Sequence, residues 1–158
     1  MTGINLRDEE SMGSFSTKMS DMRYDISHMS VTGDHFLAQD ITFENTAGAV
    51  NEQAVALRVG AQKSAFYHCG FSAYQDTLYV HSKRQFFRNC FVAGTVDFIF
   101  GNSAVVLQNC DIEARIPGKG KQNMVTAQGR IDKNQDTGIV IQKYCRMKLS
   151  TPRLISGP

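Results

Sequence analysis

The chain lacks the features that mark several protein classes. Its first 23 residues are polar and include acidic side chains, so neither a secretory signal nor a membrane-spanning segment is visible. Its 17 basic and 15 acidic residues leave a net charge of +2, which is too small to favour nucleic acid but is compatible with a mildly acidic polymer. Helix-favouring runs of Ala, Leu, Glu and Lys are few. The 13 glycines, 10 phenylalanines and many Val, Ile and Thr residues instead favour one domain of strands and turns.

Common catalytic and metal-binding motifs are also absent. There is no G-x-S-x-G elbow, which disfavours a serine hydrolase, and no glycine loop of the kind that cradles phosphate. The histidines form no close pair and the cysteines lack the paired spacing of a zinc site, so neither a metal nor a cofactor is predicted. Two basic segments have ordinary explanations. The phenylalanines of 82–88 belong to an apolar repeat, and 117–121 is predicted to be an exposed loop.

A repeat of about twenty residues organises the chain. Three segments share an apolar residue three places before a cysteine, and they are AFYHCGF (65–71), FFRNCFV (86–92) and VLQNCDI (106–112). Their cysteines are separated by 21 and then 20 residues, with shorter apolar pieces between them. One coil of this size cannot bury its own apolar face, so the repeat predicts a solenoid of stacked coils. The natural candidate is a right-handed parallel β-helix.

Stacked coils bring equivalent cysteines together. Residues at the same place in successive coils lie roughly 4.8 Å apart, which is within the Cα separation of about 4.4–6.8 Å that a disulfide tolerates. Cys90 and Cys110 are therefore either bridged, in an oxidising compartment, or small buried apolar residues. Cys69 and Cys145 are interpreted as buried residues of the second kind.

The same period stacks two acids. Asp76 follows Cys69 by seven residues and Asp97 follows Cys90 by seven, so their carboxyl groups should face each other on adjacent coils. Like charges at that distance cannot both ionise cheaply, so one group should be held protonated and the other as the anion. Such a pair supplies an acid and a nucleophile together. The alternative is that each Asp only caps a turn.

Several blocks resemble the signature blocks of plant pectin methylesterases in their letters, order and spacing. They are FLAQDITFENTAG (36–48), QAVALRV (53–59), AYQDTLY (73–79), GTVDFIFGN (94–102) and NMVTAQGR (123–130). The resemblance implies an all-β, right-handed parallel β-helix. It assigns residues 23–158 to a partial pectinesterase domain, and residues 1–22, which match no block, are predicted to be poorly ordered.

The resemblance also implies roles for particular residues. Asp97 corresponds to the nucleophile that attacks the methyl ester of a galacturonate, and Asp76 to the general acid that later acts as base. The remaining implied residues are Gln75 and Gln53 for oxyanion stabilisation, Gln53, Tyr79, Phe100 and Tyr24 for substrate binding, and Cys90 and Cys110 for a disulfide. The implied partner is methylesterified homogalacturonan in the extracellular cell wall, with no nucleic acid or membrane involved.

The chain departs from the family pattern at both ends. The Gly-Arg-Pro-Trp block expected after TAQGR does not follow, and the first coils are missing, so the solenoid is predicted to be incomplete at both ends. The missing Arg would hold the nucleophilic carboxylate ionised, and weak or absent activity is therefore expected. Two other hypotheses stay open: a non-catalytic pectin-binding remnant, and a retaining glycosidase, whose carboxylates lie roughly 5–5.5 Å apart.

Overall fold

Short strands make up most of the regular structure. The computed structural model describes residues 14–17, 29–143 and 146–149. Within these residues, one 3-10 helix covers Ala49–Asn51, and no helix is long and apolar enough to cross a membrane. The strands are β1 Ser14–Thr17, β2 Ser30–Val31, β3 Leu37–Gln39, β4 Thr42–Asn45, β5 Leu57–Val59, β6 Ser64–Tyr67, β7 Gly70–Ser72, β8 Leu78–Val80, β9 Arg84–Arg88, β10 Phe91–Gly94, β11 Ile99–Gly101, β12 Ala104–Gln108, β13 Asp111–Ala114, β14 Thr126–Gln128, β15 Gly138–Gln142 and β16 Arg146–Leu149.

The strands form three parallel sheets that wind around a common core. In spatial order, sheet A is β1-β4-β7-β10-β13-β16, sheet B is β2-β5-β8-β11-β14 and sheet C is β3-β6-β9-β12-β15. Each coil contributes one strand to each sheet, and every neighbouring pair is parallel, for example β5 with β8 and β6 with β9. The architecture confirms the predicted right-handed parallel β-helix.

The register of sheet B shows how the sequence period becomes a stack. Leu57 pairs with Leu78, and Leu78 pairs with Ile99, so the same interior position recurs every 21 residues. Each of these side chains is fully buried, because the apolar residues alternate with outward-facing ones along each strand. The connection 129–137 between β14 and β15 is longer than its counterparts in earlier coils. Two further long connections break the period, 46–56 between β4 and β5 and 115–125 between β13 and β14. Both enter sheet B at the same corner of the coil.

Aromatic rings fill the space between the sheets. Phe66 and Phe87 stack with ring centroids 4.6 Å apart, and Phe43 and Phe71 stack at 5.4 Å. The two stacks meet edge to face, with Phe66 and Phe71 centroids 5.7 Å apart. All four rings are almost completely excluded from water. Burial of each such ring contributes about 1.5–3 kcal/mol, and favourable ring geometry adds to that.

The cysteines form a ladder in this core. The amide of Phe91 donates to the Cys69 carbonyl at 2.9 Å and that of Asp111 to the Cys90 carbonyl at 2.8 Å, which places Cys69, Cys90 and Cys110 on consecutive coils. All three are buried free thiols, so the Cys90 to Cys110 bridge is not formed in the structure, and the pairing stays a prediction. Hydrogen bonds that the Cys90 thiol donates to Cys110 and Cys69, together with burial, favour its protonated form and raise the pKa of Cys90. Cys145 lies outside the described residues.

Strand β1 extends sheet A before the first complete coil. It pairs with β4 in parallel, with Phe15 opposite Phe43. It lies within the segment 1–22, which matched no family block. The division of the chain at residue 22 stays a prediction.

Candidate active site

Two aspartates lie at the corner that leads into sheet B. Because Leu78 pairs with Ile99 and Tyr79 with Phe100, Asp76 and Asp97 occupy the same position in adjacent coils, as the spacing predicted. Both have left-handed backbone conformations, with φ of 62° at Asp76 and 49° at Asp97. Aspartate tolerates this region better than most residues, and the same conformation recurs at other turns of the coils, for example at Asn89 and Asn109.

Hydrogen bonds and close packing hold this corner. The hydroxyl of Thr77, which is completely buried, donates to the carbonyl of Ala93 at 3.0 Å, and the amide of Asp76 donates to the carbonyl of Val96 at 2.9 Å. The turn also needs Gly94, because a Cβ there would lie 2.3 Å from the Cβ of Phe98 and 2.5 Å from the hydroxyl oxygen of Thr77. The segments YQDT (74–77) and GTVDF (94–98) are therefore held against each other at this corner.

The electrostatics of the pair are asymmetric. Asp76 is only 6% exposed, whereas Asp97 is partly buried. Burial and the charge of Asp97 raise the pKa of Asp76 to about 6, although the charge of Lys121 and a hydrogen bond from Gln53 act in the opposite direction. Asp76 can therefore carry a proton under mildly acidic conditions and release it near neutrality.

Two glutamines flank the carboxyl groups. Gln53 and Gln75 form a parallel bridge between adjacent coils. The side chain of Gln53 hydrogen bonds to the Asp76 carboxyl group. The Oε1 atom of Gln75 accepts a hydrogen bond from Lys121 Nζ at 2.9 Å, which leaves the amide nitrogen of Gln75 to donate elsewhere. The structure thus brings Gln53 into contact with Asp76 and pairs it with Gln75 on the adjacent coil.

Lys121 is a site residue that the sequence analysis missed. It lies in the segment 117–121, for which an exposed loop was predicted; the segment is a loop in which residues 119 and 120 are exposed and Lys121 is partly buried. The Lys121 side chain is 35% exposed and folds back so that Nζ contacts Gln75 and, at 3.5 Å, Glu52 Oε1. Its charge lies close enough to lower the pKa of Asp76. The only sequence signal for this contact was the extra length of the connection 115–125.

The two predicted aromatic residues lie together beside the carboxyl pair. The rings of Tyr79 and Phe100 stack with centroids 4.4 Å apart and an interplanar angle of 7°, and each ring is partly exposed. Tyr24 lies outside the described residues. In the part of the chain that the structure describes, no cluster of His, Cys, Asp or Glu could hold a metal ion.

The comparisons with known proteins agree with this geometry. A family model described as Pectinesterase matches residues 8–154. The pectinesterase of Daucus carota is 72% identical over 115 residues, which are 73% of this chain and 36% of that protein.

Solved structures resemble the chain as well. The pectin methylesterase from carrot has a TM-score of 0.79 and 61% identity, covering 87% of this chain and 43% of its own. A pectin methylesterase in complex with a hexasaccharide has a TM-score of 0.73 and 30% identity, covering 80% of this chain and 42% of its own. The chain thus spans less than half the length of these relatives, and the sequence resemblance is confirmed. The chain belongs to the pectinesterase family.

Proposed function

We propose that this chain carries the carboxyl pair of an enzyme that hydrolyses the methyl esters of pectin, with Asp97 as nucleophile and Asp76 as general acid and then base. The observation that most supports the proposal is the placement of Asp76 and Asp97 at one position in adjacent coils, with the pKa of Asp76 raised to about 6. A proton held by one carboxyl group beside a second, more exposed one is what acid-assisted nucleophilic attack needs.

The first step transfers the acyl group to the enzyme. A carboxylate oxygen of Asp97 forms a bond to the ester carbonyl carbon, and the bond from that carbon to the methoxyl oxygen breaks. Asp76 gives its proton to the methoxyl oxygen, so methanol leaves and a mixed anhydride remains on Asp97. The amide nitrogen of Gln75, whose Oε1 atom is bound to Lys121, donates to the developing oxyanion, and an amide does so without adding a charge to the carboxyl pair.

The second step restores the enzyme. Asp76, now ionised, takes a proton from a water molecule whose oxygen attacks the acyl carbon of the anhydride. The anhydride bond breaks, Asp97 leaves as a carboxylate, and the galacturonate product carries a free carboxyl group. Gln53, hydrogen bonded to Asp76, favours the ionised form of that group and so supports its action as a base.

The aromatic stack is proposed as the floor of the pectin-binding groove. The partly exposed rings of Tyr79 and Phe100 offer apolar faces to a pyranose ring. A hexasaccharide is bound in a solved pectin methylesterase that is similar to this chain. We place the action of the protein at its polysaccharide substrate in the extracellular cell wall.

Methanol release from methylesterified pectin tests the proposal. The unsubstituted chain should release methanol at a low rate, and Asp97→Asn or Asp76→Asn should abolish the release. Asp111→Asn is the matched control, because Asp111 is an exposed residue of β13, in another sheet.

Other outcomes would contradict the proposal. Binding of pectin without methanol release by a well-folded chain would identify a binding module. New reducing ends without methanol would identify glycoside hydrolysis.

A further inference from the structure

The outward face of sheet B carries a continuous row of side chains. Ser30 pairs with Arg58, Arg58 with Tyr79 and Tyr79 with Phe100, one residue from each successive coil. Their neighbours along the strands, such as Leu78 and Val80 on either side of Tyr79, are buried in the core. Four rungs of this row therefore face solvent on the surface that holds the aromatic stack.

Arg58 is the charged member of this row. Its Cζ atom lies over the Tyr79 ring, 5.7 Å from the centroid, and its Nη1 atom donates to Ser30 Oγ at 3.1 Å. The His81 ring stands perpendicular to Tyr79 with centroids 5.1 Å apart, and burial together with the charge of Arg58 lowers the pKa of His81. The guanidinium is thus held by the Ser30 hydroxyl and the Tyr79 ring.

No carboxylate neutralises this guanidinium within the described residues. The ion pairs there join Asp40 to His68, Asp34 to Lys83 and Glu52 to Lys121. Arg58 has one hydroxyl and one aromatic ring as its partners instead. A partly buried guanidinium with unused donors beside an aromatic stack is well suited to a carboxylate ligand, because its planar fork matches the two oxygens.

We propose that Arg58 forms a subsite for a free carboxylate on the pectin chain, on a galacturonate residue next to the one whose ester is cleaved. The inference rests on the function proposed above and names a preference of the same groove. Arg58 lies one rung beyond Tyr79, on the side away from Phe100. Asp76 is in the coil of Tyr79 and Asp97 is in the coil of Phe100. The carboxylate at Arg58 therefore belongs to a different sugar from the reacting ester.

The physical basis of the preference is charge. A free carboxylate accepts two charge-assisted hydrogen bonds from the guanidinium, whereas a methyl ester has no net charge and a weaker acceptor set. The Tyr79 ring below and Ser30 beside it orient the guanidinium before the ligand arrives, which reduces the entropy lost on binding. The subsite should therefore favour stretches of pectin that already contain a de-esterified residue.

Binding of defined oligogalacturonates by calorimetric titration tests this inference. An Asp97→Asn background is used throughout so that esters are not turned over. Arg58→Gln should weaken binding of an unmethylated oligogalacturonate by about tenfold or more, since a charge-assisted pair is lost. Binding of the fully methylesterified oligomer should change by less than about threefold. Arg58→Lys should restore part of the loss, because it returns the charge without the fork.

Arg88→Gln is the matched control, since Arg88 is an exposed residue of β9 and its removal takes the same charge from a different sheet. Equal losses for both ligands in Arg58→Gln, or an equal loss in Arg88→Gln, would overturn the subsite. Binding of neither oligomer by the Asp97→Asn chain with Arg58 intact would contradict the groove itself, and with it the proposed function. Unfolding by urea checks that each variant is folded.

Discussion

Two ladders in this molecule arise from the same repeat but lead to opposite chemistry. Cys69, Cys90 and Cys110 stack in the core, and Asp76 and Asp97 stack at the corner of the same coils. Neutral thiols can be stacked and buried at little cost, since they behave as small apolar groups. Buried carboxyl groups cannot, and the pKa of Asp76 is raised to about 6 for that reason. The repeat stacks whatever residue it carries, so a costly stack indicates a functional position.

The apolar side of this comparison should give the largest effect on stability. Phe87→Ala removes a fully buried ring that stacks on Phe66 at 4.6 Å, so it should lower the free energy of unfolding by about 3–5 kcal/mol. Urea denaturation followed by circular dichroism measures it. Phe91→Ala is the control, since that ring is 38% exposed and its loss should cost less than about 1 kcal/mol. Similar losses at both sites would show that the stacked rings are not the core of the fold.

The carboxylate ladder should appear as a pH dependence of stability. The folded pKa of Asp76, about 6, is above its ordinary value of 3.8, so the folded chain binds more protons than the unfolded chain between these values. Its contribution to stability is present at low pH and is lost as pH rises through about 6. The loss amounts to at most about 3 kcal/mol.

The Asp76→Asn substitution should remove this loss of stability at rising pH. The difference in unfolding free energy between about pH 3 and about pH 7.5 should shrink in the variant relative to the unsubstituted chain. Asp111→Asn, on an exposed strand, should leave that difference as it is. An unchanged pH dependence in Asp76→Asn would show that its carboxyl group is not perturbed by folding.

Sequence spacing predicted both ladders because the coil converts a fixed number of residues into one rung. The seven residues from Cys69 to Asp76 and from Cys90 to Asp97 were enough to place the two acids side by side. Spacing could not choose a disulfide partner, because Cys90 has a thiol neighbour on each side.

Contacts that depend on the irregular connections could not be predicted. Lys121 reaches Gln75 and Glu52 from 115–125, where the chain leaves the period, so its position depends on the path of that loop. Arg58 follows the period of the repeat, but the QAVALRV block (53–59) that contains it has only the apolar pattern of an ordinary strand. Its importance appears only when Ser30 and Tyr79 are seen on either side of it.

A smaller effect is expected on the pKa of Asp76 when the charge of Asp97 is removed. Asp97→Asn removes the charge that raises the pKa of Asp76, so that pKa should fall. It should stay above the ordinary value, because burial is the larger cause and remains. Titration of the carbon-13 signals of aspartate carboxyl groups by NMR measures the change, with Asp111→Asn as control. An unchanged pKa of Asp76 would mean that the two carboxyl groups do not interact.

The smallest expected change is a shift in the pKa of Asp76 when a nearby positive charge is removed. Lys121→Met removes a cation that lowers the pKa of Asp76, so that pKa should rise, whereas Lys119→Met, an exposed position in the same loop, should leave it unchanged. The change should be modest and should shrink with added salt, since the Lys121 side chain is 35% exposed and solvent screens its charge. The same NMR titration, repeated at low and high ionic strength, measures it. A fall in the pKa of Asp76, or an equal response to both substitutions, would show that Lys121 does not act on the acid. The hydrogen bond to Gln75 would then be its only contribution to the site.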